Sequence, residues 1–366
     1  MSKSIPMSKI SEEKMVRYRQ LGDIPSMQML NTEVRDIYQR MEAEGAAIKD
    51  MRDPNTGMYM APFSKDLEQT DIACVGIPME NSIPLRTSTA DGPRALREWS
   101  QWMGPVHETW GTIPFDWYSV SDYGDIEFHQ QDMYPRIEQI YALYCDFYQA
   151  GINTLSVGGE HTMTYPIMKA LGQDQPLGMI HIDAHADTAG GVIPGDPDVL
   201  SINDASPFRH AVLSGALDPE RCIQIGIRGR GEQFWDFSHQ TGMRVVTATE
   251  FYELGLAAVM EEAHRIIGDG PCYITIDNDG IDPVDMPATG LPEPFGISAL
   301  DVRGIIRGAK GLNVIGADFC ELSPDNDPTG QSANISAALC FDMLCLLAES
   351  RDKRGQSRRK THWQLS

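Results

Sequence analysis

The chain has 366 residues, of which 42% are hydrophobic, and its formal net charge is -22. This length allows one large domain or two smaller ones with a sizeable core, and so acidic a surface repels phosphate backbones, which excludes nucleic acid as an expected partner. No uninterrupted apolar run is long enough for a bilayer, and the segment "MSKSIPMSKISEEK" lacks the apolar core of a secretory signal. We therefore expect no membrane partner and a cytoplasmic location.

The N-terminal segment differs from the rest of the chain. Residues 1–68 are polar and methionine-rich, with a helical patch near residues 32–47, and we expect them to form an arm. A catalytic domain is expected over residues 69–348. The basic run "RDKRGQSRRK" near the C-terminus predicts a solvated tail or subunit contact over residues 349–366.

From residue 71 onward, short β-branched runs alternate with helical stretches. The predicted strands span residues 71–77, 118–121, 154–157, 178–183, 222–227, 244–246, 272–277 and 314–319. The predicted helices span residues 92–99, 134–149, 164–171, 249–267, 298–308 and 331–347. This alternation predicts an α/β fold of three layers (αβα) with a mostly parallel central sheet.

The cysteines do not indicate a disulfide framework. There are seven, an odd number, with no C-x-x-C pair, and most lie in apolar runs. This pattern favours reduced thiols in the core.

Three predicted strands end in clusters of ionisable residues, in "GGEHT", "HIDAHADT" and "IDNDGIDP". Ligands of open α/β sheets bind at the carboxyl ends of the strands, and residues two apart in extended chain share a face. We therefore expect six side chains to converge: His161, Asp183, His185, Asp187, Asp277 and Asp279. Solvated loop acids and helix caps are the alternative interpretation.

Four carboxylates around one point would repel each other unless cations bind between them. Mixed Asp and His ligation without cysteine suits Mn²⁺, Ni²⁺, Co²⁺, Fe²⁺ or Zn²⁺, and two ions sharing carboxylates would use all six side chains. His181 lies deeper in its strand, and we expect it to support the ligands instead of binding metal.

These motifs resemble those of the ureohydrolases, the family of arginase, agmatinase and the guanidino-acid, guanidine and metformin hydrolases. The resemblance covers residues 71–347 and implies an arginase-like fold. It implies that one ion is held by His161, Asp183, Asp187 and Asp277, and the other by Asp183, His185, Asp277 and Asp279. It also implies a hydroxide between the ions that attacks the guanidinium carbon, Asp187 as the group that passes its proton to the leaving amine, and Glu321 in "FCELSP" as the partner of the guanidinium.

The sequence departs from the family around the expected pocket. Asp204 and Ala205 in "NDASPFRHA" replace a His-Gly pair whose histidine shuttles protons in many relatives. His210 downstream is either a substitute for that histidine or an ordinary surface residue. Arg86, in the loop "SIPLRTSTAD", and Glu293, in "GLPEPFGIS", are further candidate substrate contacts along with Asp204.

The sequence keeps the residues that match the family's metal ligands but differs from the family in the loops around the expected pocket. This combination favours an unusual substrate. The interpretation we favour is the catalytic subunit of a metformin hydrolase, giving guanylurea and dimethylamine. Guanidine hydrolase, agmatinase or guanidino-acid hydrolase activity is the alternative, as are a non-catalytic partner subunit and a single-zinc deacetylase. The resemblance to this branch implies two divalent ions per subunit, Ni²⁺ in preference to Mn²⁺, a small cationic guanidine-type substrate, and a homo- or hetero-oligomer (trimer or hexamer).

Overall fold

The computed structural model describes residues 10–25, 35–36, 39, 57–80, 88–193, 196–229 and 235–355. The chain divides into two compact units, residues 1–48 and 49–366. In the first unit, helix α1 spans Glu12–Gly22, with the Ser11 side chain accepting from Lys14 N at its start. The helical patch expected at residues 32–47 lies almost wholly outside the described residues.

The larger unit begins earlier than the expected domain boundary at residue 69. It starts at Lys49, and Met58 and Tyr59 are already buried. The C-terminal helix likewise continues beyond residue 348, to Lys353. The extents of the arm and of the basic tail thus stay predictions, and residues 356–366 lie outside the described part.

Eight parallel strands form the central sheet, which confirms the predicted architecture. In spatial order they are β2 (Val120–Asp125), β1 (Ile72–Ile77), β3 (Asn153–Gly158), β10 (Asn313–Cys320), β9 (Pro271–Asp277), β4 (Leu177–Ile182), β7 (Leu217–Ile227) and β8 (Arg244–Thr247). A separate antiparallel pair contains β5 (Val192–Ile193) and β6 (Asp196–Leu200). All eight predicted strands therefore belong to the sheet, with small shifts at their ends.

Helices cover both faces of the sheet. They are α2 (Gly92–Ser100), α3 (Pro114–Trp117), α4 (Met133–Gln149), α5 (Thr164–Leu171), α6 (Pro207–Leu213), α7 (Asp236–Thr241), α8 (Ala248–Leu254), α9 (Leu256–Ile267), α10 (Ala299–Gly308) and α11 (Gln331–Lys353). One hydrophobic cluster joins the sheet to α2, α9, α10 and α11. A second joins its other face to α4, α5 and α6. The single helix predicted over residues 249–267 is wrong, because Gly255 adopts a φ of 80° and separates two helices.

Helix α11 is a core element. Its 23 residues are long and apolar enough to cross a membrane by length and composition alone, but 78% of its most apolar stretch is buried inside the protein. A helix that is apolar around much of its circumference fits such a site in the core of an α/β domain.

The cysteines are free thiols, as predicted. Six are buried and Cys145 is half-buried. They pack as small apolar side chains.

Candidate metal centre

The predicted ligands and Glu321 meet at the carboxyl ends of four neighbouring strands. His161 follows β3, Asp183 follows β4, Asp277 ends β9 and Glu321 follows β10. These strands are adjacent in the order β3-β10-β9-β4. Segments far apart in sequence therefore deliver their polar side chains to one edge of the sheet, where parallel α/β folds bind ligands.

The first group surrounds the imidazole of His161. Its Nδ1 atom lies 2.9 Å from Asp187 Oδ2, 3.3 Å from Asp277 Oδ2 and 3.4 Å from Asp183 Oδ2. This nitrogen is buried and makes no hydrogen bond of normal geometry within the described residues. A nitrogen lone pair directed at three carboxylates has the arrangement of a metal ligand set.

The second group surrounds the imidazole of His185. Its Nδ1 atom lies 3.2 Å from Asp279 Oδ2 and 3.6 Å from Asp183 Oδ1. The two oxygens of Asp183 thus face different histidines, Oδ2 toward His161 and Oδ1 toward His185. A carboxylate in this position could contact two ions, which is the role that the resemblance implies for Asp183.

Cys320 also lies near His161 and Asp277, but its contacts suit a thiol. Its Sγ donates to Ile276 O at 3.6 Å, and burial raises its pKa well above the ordinary value. Only the thiolate is a good ligand, so the donor set remains histidine and aspartate.

The charges of this site are not balanced by the protein itself. Burial, followed by the charges of Asp279 and Asp183, raises the pKa of Asp277 well above its ordinary value. Burial and the charge of Asp183 likewise raise the pKa of Asp187 to about 7. Burial opposes charge on His161, yet hydrogen bonds with the surrounding aspartates raise its pKa. Cations bound among the carboxylates would relieve this repulsion, so the residues present fit two divalent metal ions.

The backbone is constrained where it carries these groups. Asp187 and Glu321 adopt φ values of 50° and 58°, a left-handed conformation that costs energy for residues other than glycine. Gly280 lies against the backbone of Asp183: a Cβ atom there would approach Asp183 N and Cα to 2.7 Å. The close approach of the loop after β9 to the end of β4 therefore requires a glycine.

The candidate substrate contacts beside the cluster are acidic. Glu321 Oε1 accepts from His161 N at 2.7 Å, and burial, then Asp277 and Asp204, raise the pKa of Glu321. Burial and the neighbouring Glu160 raise the pKa of Asp204 to about 6. Glu293 Oε1 lies 3.7 Å from His185 Nε2. The structure thus brings Glu321, Asp204 and Glu293 to the site, while their roles toward substrate stay predictions.

Two other candidates are not among these contacts. His210 Nε2 donates to Ser201 O at 3.0 Å, and the ring lies 5.5 Å from that of Tyr165. These contacts give no support to a proton-shuttle role, which stays a prediction. Arg86 lies outside the described residues.

Two side chains lie beneath the ligands and contact them, of which the sequence interpretation named His181 and omitted Thr275. His181, expected to act as a support, places Nε2 2.7 Å from Asp183 Oδ2. Thr275 Oγ1 lies 2.8 Å from His161 Nε2. Thr275 precedes Asp277 by two residues, as His181 precedes Asp183, so the two-residue period of a strand contains a signal for both.

Similarity to known proteins agrees with this site. The sequence matches the arginase family over residues 70–345. It is 39% identical over 291 residues to guanidinopropionase of Pseudomonas aeruginosa, covering 79% of this chain and 90% of that protein. It is 36% identical over 293 residues to the mitochondrial guanidino acid hydrolase of Homo sapiens, covering 79% and 82%. Proclavaminate amidino hydrolase from Streptomyces clavuligerus has a similar structure, with a TM-score of 0.77 and 28% identity over 82% of this chain and 100% of that one. With its eight-stranded parallel sheet and its paired histidine–aspartate groups, this chain belongs to the arginase family.

Proposed function

We propose that this protein hydrolyses a guanidine-type C–N bond with two divalent metal ions, and that its substrate is a compact cation such as metformin. The observation that carries the proposal is the shared Asp183, whose two oxygens face His161 and His185, with Glu321 beside them. Two bound ions would supply a water of lowered pKa as the nucleophile.

The chain's own residues have three tasks in this reaction. His161 and Asp187 belong to one ligand group, and His185 and Asp279 to the other, with Asp183 and Asp277 as the shared carboxylates. Asp187 Oδ2 borders the cluster, so this carboxylate is placed to take the proton of the attacking water and pass it to the leaving amine. Glu321 uses Oε1 to hold the backbone N–H of His161, which leaves Oε2 to accept from a guanidinium N–H.

The charges around the site support a substrate without an acidic tail. The described acidic side chains beside the ligands are Glu321, Asp204 and Glu293. Arg228 lies beside the second ligand group, but all its guanidinium nitrogens donate to backbone carbonyls, among them Gly226 O, Asp279 O and Glu293 O. Arg228 therefore has no free donor for a substrate carboxylate.

A guanidine hydrolase, an agmatinase or a guanidino-acid hydrolase is the second candidate. The named relatives include a guanidinopropionase that is 39% identical and an agmatinase of Gallus gallus that is 36% identical over 297 residues. Arg86, which lies outside the described residues, would be the anchor for the acidic tail of a guanidino acid.

The metal and the assembly are part of the same proposal. We favour Ni²⁺ because the resemblance to the guanidine and metformin hydrolase branch implies it, and Mn²⁺ is the alternative, since affinity trends and supply allow either ion at an Asp and His site. We also expect a trimer or hexamer, alone or with a related subunit, in the cytoplasm.

The test separates substrate from metal. Protein loaded with Ni²⁺ or Mn²⁺ is first analysed for metal content, and two ions per chain are expected. Metformin, guanidine, agmatine and 3-guanidinopropionate are then compared by kcat/KM, with dimethylamine or urea as the product measured. A preference for metformin over 3-guanidinopropionate supports the proposal, whereas the reverse order favours the guanidino-acid candidate. One ion per chain would contradict the two-metal reaction, and full loading without turnover of any substrate would indicate a non-catalytic subunit.

A further inference from the structure

Five buried polar residues lie side by side across the middle of the sheet. The strand register pairs Asp318 of β10 with Ser156 of β3 and with Thr275 of β9. It also pairs His181 of β4 with Thr275 of β9 and with Gln224 of β7. Each side chain is fully buried. In order across the sheet, this polar row consists of Ser156, Asp318, Thr275, His181 and Gln224.

The row lies on the face of the sheet that α4, α5 and α6 cover. Tyr144 of α4 bonds to Ser156 at 2.5 Å, Thr164 at the start of α5 donates to Asp318 Oδ2 at 2.7 Å, and the ring of Phe208 in α6 lies 4.4 Å from that of His181. Buried polar groups cost stability unless they are paired. Five in one row, directly beneath the ligands, therefore call for a functional reason.

At the β4 end of the row, the contacts determine where each proton lies. The carbonyl of Ala186 can only accept, so the atom of Gln224 that approaches it at 2.6 Å is the amide nitrogen. The same nitrogen lies 3.0 Å from His181 Nδ1 and donates its second hydrogen there. His181 therefore carries its own proton on Nε2 and donates it to Asp183 Oδ2 at 2.7 Å. His181 is close enough to His161, Asp183 and Asp187 to be a ligand itself, but with both nitrogens engaged in this way its contacts suit a support for Asp183.

Toward β10, the contacts of the row act on the metal-site histidine His161. His161 can bind metal through Nδ1 only if Nε2 carries the proton, and that proton faces Thr275 Oγ1 at 2.8 Å. The Thr275 hydroxyl can then direct its own hydrogen toward Asp318, which the register of β9 and β10 places beside it. Asp318 is held in place by Thr164 and by Tyr273, whose hydroxyl donates to Oδ2 at 2.9 Å.

We propose that the polar row, apart from Ser156 at its end, orders protons for the metal centre. Gln224 acts through His181 to orient Asp183, and Asp318 acts through Thr275 to keep Nδ1 of His161 free for metal. These four are positioning residues, since none faces the substrate pocket through a contact described here. The inference rests on the metal-binding part of the proposed function and adds residues from the interior of the sheet to it.

Metal affinity is the quantity that this proposal predicts. Outer hydrogen-bond partners of metal ligands typically contribute about 10- to 100-fold to affinity. Thr275→Val keeps the branched shape but removes the hydroxyl, and Gln224→Leu removes the amide. Each should weaken metal binding about 10- to 100-fold in competition with a chelator, and should change the visible spectrum of the Co²⁺-loaded protein.

The row itself supplies matched controls. Thr275→Ser retains the hydroxyl, and Ser156→Ala removes an equally buried hydroxyl whose described partner is Tyr144 and no ligand. Both should bind metal within about threefold of the parent, since neither interrupts the path to a ligand. Asp318→Asn preserves the shape of the side chain but removes its charge. This variant is measured in place of Thr275→Val if Thr275→Val does not fold. The melting temperature of each metal-free variant shows that the fold is retained.

The outcomes are distinct. Parent-like metal affinity in Thr275→Val, or its replacement, and in Gln224→Leu would overturn the inference even if the parent hydrolyses its substrate. An equal loss in Ser156→Ala would do the same, because it would show a general effect of buried polar groups. If the parent itself does not bind two ions, the proposed function fails before the inference is reached.

Discussion

The Glu321 side chain allows a quantitative test of substrate recognition. Glu321→Gln can keep Oε1 as the acceptor for His161 N, a bond of 2.7 Å in the parent, while an amide nitrogen replaces Oε2. The change then exchanges an anionic acceptor for a donor that faces the N–H donors of the guanidinium. A hydrogen bond to a charged group contributes about 1.5–3 kcal/mol, which corresponds to about a 10- to 150-fold loss in kcat/KM.

The assay compares steady-state kinetics at equal metal content. We expect Glu321→Gln to bind two ions, to unfold at the parent's temperature and to lose activity mainly through KM. Glu98→Gln is the control, because Glu98 is exposed on α2 and pairs with Arg94, and its kinetics should match the parent within about twofold, as for most surface substitutions. Parent-like KM in Glu321→Gln would refute the assignment of Glu321, and loss of metal would show that its role is to hold the His161 backbone.

Three other substitutions test the site and the backbone around it. Asp183→Ala should lose both ions, because the two oxygens of this residue face different histidines; elemental analysis that still finds two ions would contradict the bridge. The pKa of Asp204 is raised to about 6 from an ordinary 3.8, so its ionised form destabilises the metal-free fold above about pH 6 and has no effect below about pH 4. Asp204→Asn should therefore be more stable than the parent by about 2–3 kcal/mol at pH 8 and equal to it at pH 4, and denaturant unfolding that shows the same difference at both values would disprove this. Gly280→Ala places a Cβ 2.7 Å from the backbone of Asp183 and should cost about 1–3 kcal/mol, whereas Gly22→Ala meets open space and should be neutral; equal melting temperatures for the two variants would argue against a tight approach at Gly280.

The sequence predicts the strands and the main site groups because both depend on local pattern. Asp183, His185 and Asp187 alternate after an apolar run, and a parallel sheet brings strand ends together whatever its order. The break at Gly255 was missed, because the helical pattern continues on both sides of this residue and only its φ of 80° shows the interruption.

The polar row could not be predicted in this way. Asp318 and Gln224 are single polar residues within apolar strands, and each reads as an isolated exception. Their meaning depends on strand order and register, which place Asp318 beside Thr275 and Gln224 beside His181. These long-range relations are not encoded in a local period, so a sequence analysis finds the ligands and His181 but not Asp318 and Gln224.

The strand order also determines when the metal centre can exist during folding. His161 and Asp183 follow β3 and β4, but β10 and β9 insert between these strands from near the end of the described chain. In a partly folded chain, β9 and β10 have not yet joined the sheet. Asp277 is then absent from the site, and the loops that carry His161 and His185 are not yet held at their native distance. Ions with high affinity for the finished site should therefore bind the native state far better than the unfolded one, and metal supply should raise the folding stability by mass action. Such long-range pairing is slow to form, so we expect metal uptake to report the completion of the sheet instead of its onset.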